Sequence, residues 1–188
     1  MTYDLVAMGA SWGGLHAIET VLGGLPDGFR TPIAIAQHRS VDSGSGALGR
    51  MLSLRSGLDV CEAGDKDEIE PGRVYLAPPD YHLLVESGGF ALSTEAVVQH
   101  SRPSIDVLLD SAADAYGERL IGVILTGANE DGAYGLSRVR RRGGTTIVQD
   151  PATAEKPDMP AAAIATGAAD HVLPLEQIAL KLGEQVAA

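Results

Sequence analysis

The chain has 188 residues, 45% of them hydrophobic, enough for one well-buried core and too few for two, so a single domain over residues 1–188 is expected. Fourteen Lys and Arg against 25 Asp and Glu leave a net charge of −11, which repels phosphate backbones and anionic headgroups and argues against nucleic acid or a membrane surface as partner. A lone cysteine, Cys61, excludes an internal disulfide, no apolar stretch approaches a bilayer span, and the N-terminal run is too short for a signal peptide, which together point to the cytoplasm.

Along the chain, strand-like apolar runs alternate with helical patterns. DLVAMG precedes a helical pattern over 14–23, with apolar Leu15, Ile18, Val21 and Leu22, and TPIAIAQ precedes one over 44–55. LDVCEA and RVYLAP follow, Cys61 reading as a small apolar residue that ends a strand. YHLLVESGGFALSTEA has two strand-like pieces around Ser-Gly-Gly and predicts an antiparallel hairpin attached to the sheet. Then come a helix over 104–116, the run LIGVILTG, a helix over 132–142, TTIVQD, a helix over 160–166, DHVLPL and a helix over 175–186. Strands separated by helix-length segments make βαβ units. The expected class is α/β: a doubly wound, mainly parallel sheet with an antiparallel hairpin and helices on both faces. QDPATAEKPDMP, 149–160, carries three prolines and reads as an irregular loop.

In an open parallel sheet, ligands meet the carboxyl ends of the strands. Ser11 follows the first run, His38 the second, and Glu130 and Asp131 follow LIGVILTG through GAN. A serine hydroxyl becomes nucleophilic when an imidazole takes its proton, and the imidazole works best when a carboxylate fixes its tautomer. Ser11, His38 and Asp131 supply those three groups. Gly9 to Gly13 also match G-x-S-x-G, whose glycines permit a tight strand-to-helix turn, although the chain order Ser, His, Asp is not the Ser, Asp, His order of the α/β-hydrolases.

Each residue has a plainer explanation. Ser11 and Asp131 could N-cap the helices that follow them, and His38 could be a polar strand terminus. Among the other histidines, His16 falls inside a helical pattern, His100 ends a hairpin strand and His171 begins a strand, whereas His82 follows a strand-like run and is the rival base or a substrate-rim residue. G9-x-S-x-x-G14 is one substitution from the dinucleotide fingerprint G-x-G-x-x-G, but it lacks the glycine that lets the backbone approach a pyrophosphate. The second strand-like run ends in QHR without an acid for a ribose, although Arg39 could favour a 2′-phosphate. A noncatalytic binding module is the third reading. No metal-ligand or redox spacing surrounds Cys61, and no metal or cofactor is expected.

GASWGG, IAQHRS, EAGDKDEIEPGRVYLAPPDYHLLV, HSRPSIDVLLDSAADAYG, GVILTGANEDGAYGL and DMPAAAIATGAADHVLPL resemble, in order and spacing, the catalytic domain of the chemotaxis methylesterases of the CheB family. The resemblance implies hydrolysis of glutamate methyl esters, and deamidation of some glutamines, on the methylated cytoplasmic region of a chemoreceptor or similar signalling protein. It puts the catalytic serine, histidine and aspartate on Ser11, His38 and Asp131. It places the family's oxyanion-binding backbone N–H, there a methionine's, on Ala128, and puts Trp12 where a small residue usually stands beside the nucleophile. Asp158-Met159-Pro160 replaces a Gly-Met-Pro turn, and His100, Arg102 and Ser104 fit the block at the active-site rim. Pro103 suits the first turn of the helix that follows. The first strand is expected to begin by Tyr3, so that, for a complete chain, a stand-alone domain is expected without the receiver domain that usually precedes it in the family. Arg138, Arg140, Arg141 and Arg142 form a candidate basic patch, or else a solvated helix face.

Overall fold

In a computed structural model, which describes residues 3–39 and 46–187, the strands are β1 (Leu5–Ala10), β2 (Ile33–Gln37), β3 (Asp59–Glu62), β4 (Arg73–Leu76), β5 (His82–Glu86), β6 (Gly89–Ser93), β7 (Leu120–Ile124), β8 (Thr145–Gln149) and β9 (His171–Leu173). The helices are α1 (Gly14–Gly23), α2 (Ala47–Ser56), α3 (Ile105–Tyr116), α4 (Ala133–Arg141), α5 (Asp158–Ala165) and α6 (Leu175–Ala187). The first residues of the helix expected over 44–55 lie outside the described residues, as do both ends of the expected 1–188 domain.

β1 is buried along its whole length, and its side chains divide by parity. Leu5 and Ala7 enter one core with Ile105, Leu108 and Leu109 of α3 and Leu136 and Val139 of α4. Val6, Met8 and Ala10 enter a second core with Ile18 and Val21 of α1, Leu52 of α2 and Ile178 and Leu182 of α6. A strand that feeds two cores has apolar side chains on both faces, which is why it reads as a continuous apolar run rather than an alternation. The sheet runs β3-β4-β2-β1-β7-β8-β9, and each of its pairings is parallel. The chain fills the β2 side of β1 first, with β3 at the edge and β4 inserted between β3 and β2, and then resumes at β7 on the other side, so the winding reverses between β1 and β7. That reversal opens a crevice at their carboxyl ends.

Three local expectations change. The hairpin β5–β6 is a separate two-stranded sheet rather than an addition to the parallel one. Its apolar side chains Leu83, Val85 and Phe90 pack into the α3 core, and residues 66–69 tie it down through Lys66 N–H to Phe90 O and Phe90 N–H to Asp67 O, both 2.9 Å. Pro103 precedes the cap residue Ser104 instead of lying in the first turn of α3. The 149–160 loop is shorter than expected, because Pro151–Thr153 form a 3-10 turn and α5 begins at Asp158, with Pro160 in a first turn where its missing N–H costs nothing. Cys61 is half-buried within β3, near its end, with the Arg73 guanidinium 3.7 Å from its sulfur.

Candidate active site

Ser11, His38 and Asp131 follow β1, β2 and β7 and meet at the crevice where the winding reverses. Ser11 is fixed through its backbone: its N–H donates to Thr126 O at 2.9 Å, and its carbonyl accepts from Gly14 N–H and from Gln37 Nε2, each at 2.9 Å. The cap of α1 is Gly13 in the left-handed region at φ 75°, a conformation that favours glycine, and no side chain caps this helix. Ser11 is therefore not an N-cap. Its Oγ lies 3.2 Å from His38 Nδ1, and His38 Nε2 lies 2.7 Å from Asp131 Oδ2.

Asp131 does not cap its own helix either. Gly132, at φ 101°, takes the cap position of α4, and the Asp131 carboxylate turns toward the N-terminus of α3. There Oδ1 accepts from Ser104 Oγ and Asp106 N–H, both at 2.9 Å, and Oδ2 accepts from Ile105 N–H at 2.7 Å in addition to His38. Backbone N–H groups can only donate, so the fully buried carboxylate acts as acceptor and Nε2 carries the imidazole proton. Nδ1 is left with its lone pair toward Ser11. The two ring nitrogens are used in the opposite sense to the chymotrypsin arrangement, where Nε2 faces the hydroxyl.

The capping is reciprocal. Asp106, in the first turn of α3, sends Oδ1 to Gly132 N–H at 2.9 Å and Gly135 N–H at 2.7 Å, at the start of α4. Burial pushes its carboxyl up to about 6, with the Asp131 charge adding to the shift, while the Gly135 and Gly132 N–H groups work against it. Sequence reading gave no signal for Asp106, since an acid in the first turn of a helix is ordinary.

Of the expected rim, Ala128 is exposed just beyond Thr126, whose hydroxyl hydrogen-bonds the carbonyls of Trp12 and Lys156 at 3.0 and 3.2 Å. Trp12 is 61% exposed, donates its indole N–H to Glu155 at 2.9 Å and has Lys156 Nζ 5.8 Å from its ring centroid. His82 is buried, and its two nitrogens bridge Ala96 O at 3.1 Å and Ser104 N–H at 3.1 Å, so it braces the site and is not available as a base. Arg102 is likewise committed: it binds Asp80 Oδ1 and the carbonyls of Thr94 and Glu95, and so clamps the rim. His16 and His100 are exposed, and none of His16, His100 and His171 joins the relay. Arg138 pairs with Asp110 and Asp114, Arg142 with Asp114 and Arg140 with Asp170, which neutralises most of the expected basic patch.

Two clefts flank the relay. One of about 350 Å³ is lined by Ser11, Gln37, Met51 and Glu155, and one of about 240 Å³ by His38, Arg39, Ser101 and Arg102. A larger cavity of about 560 Å³, lined by Pro26, Phe29, Leu180 and Val186, contains none of the relay residues. The carboxylate of Glu155 faces Gly13 at the N-terminus of α1, where a pyrophosphate would have to sit, and this argues against the dinucleotide reading. Among the described residues, no group of three or more His, Cys, Asp or Glu side chains is arranged to hold a metal ion.

The fold and these residues define an α/β domain with a hydroxyl, an imidazole and a carboxylate in line at the switch point of its sheet. The model of the CheB methylesterase family matches residues 6–182, and the chain belongs to that family, whose named activity is ester hydrolysis. A Leptospira interrogans protein named for protein-glutamate methylesterase and protein-glutamine glutaminase activity is 47% identical over 180 residues, covering 95% of this chain and 93% of that protein. The protein-glutamate methylesterase FrzG of Myxococcus xanthus is 45% identical over 185 residues, covering 98% of this chain and 55% of FrzG. The solved catalytic domain of Thermotoga maritima CheB methylesterase superposes with a TM-score of 0.90 at 37% identity, covering 99% of this chain and all of that one.

Proposed function

We propose that this chain is a single catalytic domain, a serine hydrolase that cleaves glutamate methyl esters on the cytoplasmic region of a chemoreceptor-like protein and deamidates glutamines there. The observation that carries this reading is the unbroken relay from Ser11 Oγ through His38 to buried Asp131, at 3.2 and 2.7 Å. His38 Nδ1 takes the Ser11 proton as Oγ attacks the ester carbonyl, and Asp131 stabilises the imidazolium across Nε2. The backbone N–H groups of Trp12 and Ala128, which have no protein acceptor among the described residues, receive the oxyanion; one such donor is worth on the order of 100-fold in rate. The intermediate collapses as His38 returns the proton to the departing methanol. Water, deprotonated by His38, then releases the acyl group as glutamate; a glutamine substrate gives up ammonia by the same steps. The names of both relatives support ester hydrolysis, and that of the Leptospira interrogans protein supports deamidation as well. The work belongs in the cytoplasm, where the methylated region of the receptor lies, and no helix among the described residues is long and apolar enough to cross a membrane.

A methanol-release assay against methylated receptors from the same cell tests the reading. Ser11→Ala is expected to reduce release at least about a thousandfold with an unchanged thermal midpoint. Turnover that survives in this variant rejects the mechanism. A natural chain that binds the receptors and releases no methanol is a binding module instead.

A further inference from the structure

Among the described residues, two hydroxyls reach the ring nitrogen on which this proton transfer runs. Ser101 Oγ lies 3.3 Å from His38 Nδ1, against 3.2 Å for Ser11 Oγ. Among the described residues, the other acceptor within reach of Ser101 is the carbonyl of Gln99 at 3.5 Å, a long and weak bond, so the imidazole is its main partner. The approach is built into the rim. Val98 and Ser101 exchange backbone hydrogen bonds of 3.1 and 2.9 Å across a tight turn whose central residues, Gln99 and His100, hold φ of 48° and 62°. Non-glycine residues stay in the left-handed region only where their surroundings over-determine it, and such residues gather at functional sites. The clamp here is Arg102, next in sequence, whose guanidinium holds Asp80 and the carbonyls of Thr94 and Glu95 at 2.6–3.0 Å, with His82 on Ala96 O at 3.1 Å.

We propose that Ser101 is a further catalytic residue of this chain, sharing His38 Nδ1 with Ser11; the inference rests on the hydrolytic reading above. In the resting chain the Nδ1 lone pair accepts one hydroxyl proton at a time, and the two serines alternate on it. When His38 takes the proton of Ser11, the sense of the bond reverses: Nδ1–H donates and Ser101 Oγ accepts, turning a neutral hydrogen bond into a charge-assisted one. No bond to carbon forms at Ser101, and the proton still passes from Nδ1 to the departing methanol. While Ser11 Oγ is acylated and has no proton to donate, Ser101 holds the ring in place for the second step.

Ser101→Ala is expected to lower kcat about tenfold with KM within about twofold, and Ser101→Thr, which keeps the hydroxyl, to return kcat to within about threefold. Unchanged kcat in the alanine variant overturns the proposal, as does a threonine variant of normal thermal midpoint that fails to recover. A second arm needs no turnover and separates this proposal from the functional reading. In Ser11→Ala, the ¹⁵N resonance of His38 Nδ1 in alkaline solution is expected to stay that of a hydrogen-bonded nitrogen, and in the Ser11→Ala/Ser101→Ala pair to move to that of an unbonded one. Identical resonances in the two proteins overturn the role of Ser101, whether or not the natural chain hydrolyses esters.

Discussion

Asp106 pays a desolvation penalty so that Asp131 can be held still. Its folded pKa of about 6 lies above the ordinary 3.8, so the folded chain binds this proton more tightly than the unfolded chain does. The stability it contributes is fully present below pH 3.8 and is lost as pH rises through 6, a change on the order of 3 kcal/mol over the whole range. Asp106→Asn keeps the oxygen that serves Gly132 and Gly135 and removes the charge. The stability of the variant relative to the natural chain, from urea unfolding, is expected to be about 2 kcal/mol more favourable near pH 7.5 than near pH 4.5. A difference that does not change with pH would show that the buried charge is not what titrates. Trp12 makes a different case. Its exposed indole sits beside Ser11 and is anchored to Glu155 at its edge, so it can present an apolar face to a docking protein without being needed for folding. Trp12→Ala is expected to raise KM for the protein substrate several-fold, leave kcat within about twofold and change stability by less than about 1 kcal/mol, read from steady-state methanol release and thermal melts.

At the scale of elements, the N-termini of α3 and α4 form one unit. Ser104 caps α3 by accepting from Val107 N–H at 3.4 Å, and the same hydroxyl donates to Asp131. Ser104→Ala is expected to cost about 1–2 kcal/mol in urea unfolding and to lower kcat more than it raises KM, because both a cap and a donor to the relay carboxylate are lost. The strands and helices were legible in the sequence because their cue is local: buried apolar runs for the strands, apolar stripes for α1, α3 and α6. The direction in which Asp131 points was not. A local rule assigns an acid before a helix to that helix, whereas this one serves a helix that begins 26 residues earlier, and left-handed Gly132 is what turns it away. The independence of the hairpin was hidden for a related reason, since its pattern fixes which face is apolar and not whether a strand or a helix covers it. The commitment of His82 and Arg102 to bracing depends on backbone carbonyls at 94–96, which no residue pattern announces.

At the scale of the whole molecule, one topological fact assembles the site. Residues 11, 38 and 131 are far apart in sequence, yet their strands lie side by side as β2-β1-β7, and the reversal of winding leaves the space between β1 and β7 open at the carboxyl edge. The strand-end rule found these three residues together because it follows from sheet topology, which an alternating α/β pattern does reveal. The charge of the molecule acts on the encounter rather than on the chemistry. At −11 overall, with Arg138, Arg140 and Arg142 already paired to acids, the surface offers little to attract a partner of net negative charge. For a receptor fragment of net negative charge, KM is therefore expected to fall as NaCl rises from about 50 to about 300 mM, as screening shortens the range of the repulsion, while kcat stays constant because Asp131 and His38 are shielded from solvent ions. A KM that rises with salt in the same methanol-release assay would mean that a local field of opposite sign guides docking and overrides the net charge.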